Sequence, residues 1–103
     1  MNRDEALKQL AVHRDRIDAV DRELLKLMNE RTRVVEEIGR IKREAKMPIY
    51  EPKREDQVFR NVTENNGGPL SADSVKRIFE RIIDEMRKVQ RERMESQAGG
   101  ESQ

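Results

Sequence analysis

The sequence predicts an all-α protein with three helices to a protomer, the first very long, built to pair with a second copy of itself. Three observations carry this. Residues 4–44 contain no proline and only one glycine, Gly39. Apolar residues recur there at alternating spacings of three and four, which is a heptad seam. Charged residues make up 42% of the chain against 34% apolar, too lean a supply for a self-sufficient core in 103 residues.

The first helix is expected from Asp4 to Glu44. Asn2 and Asp4 are candidate caps, Glu5 adds acid to the first turn, and Lys42, Arg43 and Lys46 add base near the end. Pro48 stops it. Such a helix would run ~60 Å at 1.5 Å per residue. A compact domain of this size has a radius of gyration of only ~13 Å. The helix should therefore overhang its own domain and need cover from a partner chain.

A short connector, AKMPIY, leads to Pro52, a residue favoured in the first helical turn. The second helix is expected over 52–64, with Val58, Phe59 and Val62 inward. NNGGP should end it through a left-handed Asn or Gly. Ser71 caps a third helix with an inward stripe of Val75, Ile78, Phe79, Ile82, Ile83, Met86, Val89 and Gln90. Residues 1–95 form one helical domain, and the small polar residues 96–103 read as a disordered tail. No internal repeat and no strand pattern is present.

Composition narrows the function. Lys+Arg and Asp+Glu nearly cancel, leaving a net charge of +1, so no basic footprint for nucleic acid is evident. Cysteine is absent and His13 is the single histidine, which argues against thiolate or histidine-rich metal sites. No apolar run approaches the ~20 residues of a membrane span. The N-terminus, MNRDEALKQL, lacks the apolar core of a secretory signal. The expected setting is the cytoplasm.

The seam of the first helix carries the functional signal. It reads Leu7, Leu10, Arg14, Ile17, Asp21, Leu24, Met28, Arg31, Val35, Ile38, Lys42. One polar seam residue can set register, and long side chains can snorkel to an edge. Three cations against one Asp21 are harder to explain so, because a buried unpaired charge costs several kcal/mol. A bound anion would resolve the imbalance. Arg31 and Lys42 share a face, ~16 Å apart along the axis, a gap that suits a small dicarboxylate. Val35, Ile38 and Gly39 would be its floor. Gly39 serves either close helix packing or room for the ligand. Arg14 lies too far along the helix to join from the same chain. If two copies pack antiparallel and cross at roughly residue 25, Arg14 faces the middle of the partner's site.

Other candidates are weaker on their own. Arg54 and Glu55 lie in the first turn of the second helix beside Glu51, where capping and surface charge are the plain explanation. Gln90 ends the third helix's inward stripe, and its amide both donates and accepts without titrating.

These residues resemble the all-helical chorismate mutases. The segments HRDRIDAVDRELLKLMNERTRVVEEIGRIK, YEPKREDQV and IFERIIDEMRKVQ carry the resemblance over about residues 7–91. Arg14, Asp21, Arg31, Gly39, Lys42, Arg54, Glu55 and Gln90 fall at the family's separations. ENNGGP is also similar to the mutase domain that some bacteria fuse to DAHP synthase. The start at Met1 and the polar tail lead us to expect a free-standing enzyme or an excised domain.

The resemblance implies an intertwined dimer with two sites, Arg14 donated across the interface, and rearrangement of chorismate to prephenate on the branch to phenylalanine and tyrosine. It implies no cofactor and no metal. It assigns Lys42 and Gln90 to the ether oxygen, Arg14 and Arg31 to the carboxylates, and Glu55 with the backbone near Glu51 to the ring hydroxyl. Arg54 is a carboxylate contact or a support. Met86 stands where some members carry serine, which puts one carboxylate contact in question. An isochorismate–pyruvate lyase on the same fold, and a non-catalytic dimerisation or regulatory module of a shikimate-pathway enzyme such as DAHP synthase, are the competing expectations.

Overall fold

The computed structural model describes the backbone of residues 1–101 and the side chains through residue 95. Three helices account for its regular structure among the described residues: α1 (Arg3–Ala45), α2 (Pro52–Glu64) and α3 (Ala72–Glu101). The chain divides into two units, Met1–Arg33 and Val34–Gln103.

In Met1–Arg33 the helix starts at an Asn2 cap, whose Oδ1 accepts from the Glu5 backbone N–H at 2.8 Å. Asp4, the other candidate cap, is already helical and supplies first-turn charge. The seam's apolar residues here are open: Leu7 is 48% exposed, Leu10 44%, Ile17 59% and Leu24 54%. Met28 is half-buried.

In Val34–Gln103, α2 packs on α3, and Gln90 of α3 reaches the end of α1. Val35, Val75, Ile83 and Met86 are the buried apolar core. Val58, Phe59 and Val62 are half-buried, as expected of α2's inward face. Ile78 departs from the predicted stripe and is exposed. Ser71 caps α3 by accepting from the Ser74 N–H at 3.1 Å.

α1 ends differently from expectation. Lys46 adopts φ 57°, the left-handed region usually left to glycine. Its N–H donates to Arg43 O at 3.2 Å, and Met47 N–H donates to Lys42 O at 2.8 Å. This pair of bonds is a Schellman closure. The α2 stop differs too: Asn65 has an ordinary φ of −95°, and the left-handed residue of NNGGP is Gly68 at φ 79°. The helical backbone of α3 continues to Glu101, past the boundary expected at residue 95. The character of the tail's side chains lies outside the described residues.

Outer-face charges pair along the helices. Arg40 bridges Glu37 at 3.1 Å and Glu44 at 2.9 Å. The hydrogen bond and charge of Glu37, then those of Glu44, hold its guanidinium above its ordinary range. Exposed pairs of this kind add little stability.

Candidate active site

Val35, Gly39 and Lys42 lie on one face of α1, at i, i+4 and i+7, and all three are buried. α3 brings Gln90 onto this face. Its Nε2 donates to the Val35 carbonyl at 3.4 Å, and its Cγ would lie 3.4 Å from a Cβ built on Gly39. Glycine there brings the Gln90 side chain close against the helix, so the close-packing explanation for Gly39 describes this contact.

Lys42 is 8% exposed and Gln90 7%, and these are the two buried polar residues among those described. Burying an ammonium requires partners. Lys42 Nζ has two: the Glu51 carboxylate (Oε1) at 2.6 Å and the Ile49 carbonyl at 3.0 Å. Both come from the connector that enters α2. An ammonium has three donors, and Glu51 and Ile49 engage two of them. Gln90 likewise ties its amide to one backbone carbonyl, leaving its second N–H. A charged and a neutral donor are thus fixed on one face, in surroundings that strengthen electrostatic interactions.

Glu51 precedes Pro52 as the α2 N-cap residue without a side-chain cap bond, because its carboxylate is engaged with Lys42. Glu55, one turn on, is half-buried and faces Arg87 of α3, with Oε2 3.3 Å from Nε and Oε1 3.4 Å from Nη2. Arg54 is exposed, and its guanidinium donates to Gln57 Oε1 at 3.4 Å. Met86 is core.

Val34–Gln103 therefore brings together Lys42, Glu51 and Gln90, with Glu55 and Met86 in the same unit. Arg14 and Arg31 belong to Met1–Arg33, where Arg14 is exposed and Arg31 half-buried. Three participants were missed in the sequence: the Ile49 carbonyl, the Val35 carbonyl and Arg87. Backbone acceptors carry no residue signal. Arg87 did carry one, standing between the two inward residues Met86 and Gln90 and one turn after Asp84.

Fold and site define a class: an all-helical protein with a buried ammonium and a buried amide held against one helix face. The model of chorismate mutase type II matches residues 13–91, and the chain belongs to that family. A bifunctional chorismate mutase/prephenate dehydratase of Neisseria gonorrhoeae is 39% identical over 82 residues, covering 80% of this chain. The chain spans only 22% of that relative's length. A chorismate mutase of Methanocaldococcus jannaschii is 29% identical over 86% of this chain and 91% of its own. Among solved structures, a chorismate mutase of Thermus thermophilus (form II) superposes with a TM-score of 0.79 at 34% identity, over 81% of this chain and 94% of its own. No helix among the described residues is long and apolar enough to cross a membrane.

Proposed function

We propose that this chain is a chorismate mutase, rearranging chorismate to prephenate as an antiparallel homodimer in the cytoplasm. The observation that carries the reading is the pair of buried donors, Lys42 and Gln90, held on one helix face by backbone carbonyls and a carboxylate.

The rearrangement is intramolecular. The ether C–O bond breaks, a C–C bond forms, and no proton or group leaves. What a protein can supply is position and charge. Holding both carboxylates selects the folded conformer in which the two reacting arms meet. Arg31 and the partner's Arg14 are suited to this, since guanidinium forks match carboxylates. Ether cleavage runs ahead of C–C formation, so negative charge builds on the ether oxygen in the transition state. The free N–H groups of Lys42 and Gln90 act there, and fixed donors favour the transition state over the substrate. Glu55, acceptor-only when ionised, takes the ring hydroxyl.

The dimer supplies what one chain lacks. The exposed apolar seam of Met1–Arg33 requires cover, and an antiparallel copy gives it while carrying Arg14 to the other site. Association with a DAHP synthase is a further extension of the same reading.

A mixing test decides between shared and separate sites. Arg14→Ala and Lys42→Ala are each expected to be nearly inactive. Refolded together, half the dimers carry one intact site, so activity returns to about a quarter of wild type. Absence of recovery sinks the shared site. Parallel assays on chorismate and isochorismate separate the mutase from a lyase, and a dimer inactive on both is a regulatory module.

A further inference from the structure

Lys42 is not the only cation gripping the start of α2. The stretch Ile49–Glu55 is held from two sides, by alternate residues. Lys42 of α1 takes Ile49 and Glu51. Arg87 of α3 takes Tyr50 and Glu55, its guanidinium carbon 5.6 Å from the Tyr50 ring centroid and its Nε and Nη2 at 3.3 and 3.4 Å from the Glu55 oxygens.

Arg87 is itself held. Its Nη2 lies 2.7 Å from Asp84 Oδ1, one turn earlier on α3. Its Nε is buried and lacks an aligned hydrogen-bond acceptor, although Glu55 Oε2 is near. Turning the fork away would give up the Nη2 hydrogen bond to Glu55 Oε1 and part the buried Nε from the Oε2 charge beside it. The fork faces both carboxylate oxygens, which fixes the plane of the carboxylate as a single point charge would not. Each oxygen keeps a further lone pair for a hydroxyl.

We propose that Arg87 is the positioning residue for Glu55: it orients the carboxylate that accepts the substrate's ring hydroxyl. It does not touch substrate, and its contribution passes through Glu55. This rests on the mutase reading. A hydroxyl contact is present in substrate and transition state alike, so its loss raises KM more than it lowers kcat.

The test is a double-mutant cycle on steady-state kinetics with chorismate, using the full chain. Arg87→Gln is expected to raise KM about tenfold with kcat changed less than about threefold. Glu55→Ala raises KM by more, and adding Arg87→Gln to it changes KM less than about twofold, because the residue acts through a group no longer there. Arg87→Lys keeps the charge but loses the fork, and recovers KM to within about threefold of wild type. Circular dichroism checks folding. If Arg87→Gln does not fold, Arg87→Lys completes the cycle, with the threefold rise present alone and absent beside Glu55→Ala. Effects of Arg87 and Glu55 that multiply, or a fall in kcat with KM unmoved, overturn the positioning role and leave the mutase reading intact. A wild-type chain that does not rearrange chorismate overturns both.

Discussion

The two halves of the α1 seam follow one heptad pattern and meet different fates. In Met1–Arg33 its leucines and isoleucine stand open to solvent. In Val34–Gln103 the same register buries Val35 and, against expectation for a charge, Lys42. Periodicity marks a face; what lies opposite decides whether the face is dry. For the second half the opposite surface is α3, reached through Gln90 and through Arg93, which pairs with Glu36 at 2.5 Å. For the first half a second chain is the cover we propose.

The strongest way to break this contrast is at its buried charge. Lys42→Ala should lower kcat about 10³-fold or more while the chain still dimerises, since it removes the donor proposed for the transition state. Sedimentation velocity beside a prephenate assay checks both halves of that statement. Next is the open half. Leu24→Asp puts a charge on the exposed seam and is expected to shift the proposed dimer to monomer, with activity lost roughly a hundredfold because each site would lose the arginine proposed to come from the partner. A variant that stays dimeric and active would move the interface elsewhere.

Gln90 sharpens the contrast by acidity. An amide donates at every pH, so wild-type kcat should stay nearly flat between about pH 5 and 8. Gln90→Glu must be protonated to donate, so its kcat should fall roughly tenfold per pH unit above the carboxyl's titration. A steep wild-type fall above about pH 6 would remove Gln90 from the ether oxygen. The smallest effect concerns stability. Lys46 holds a left-handed conformation that costs a non-glycine residue ~1–2 kcal/mol. Lys46→Gly should raise stability by about 1 kcal/mol in urea titration, with activity unchanged.

The helices were legible because their signals are local. Proline, caps and a strict period place α2 at Pro52–Glu64 and α1 within one residue of expectation at each end. Lys42 and Gln90 were legible as polar residues out of place on apolar stripes. Arg87 carried only its place beside Met86 on the stripe, and its contact with Glu55 depends on α2 being set against α3. Ile49 contributes a carbonyl, which its side chain does not announce. Ile78 lies on the same stripe as Val75 yet is exposed where Val75 is buried, a difference that periodicity does not carry. The left-handed Lys46 ran against residue preference, since a lysine there gives no warning of the turn it makes.

The connector between α1 and α2 has a consequence for heat. Ile49 and Glu51 hold the Lys42 ammonium, and Met47 closes the helix end on the Lys42 carbonyl. Lys42 and the loop therefore form one small cooperative patch, whose opening does not require the helices to melt. Warming should release this patch first, setting Lys42 loose while helicity persists. Enzyme activity should fade at a lower temperature than the far-ultraviolet dichroism, and the distance between the two midpoints measures how firmly a few connector residues keep the site assembled.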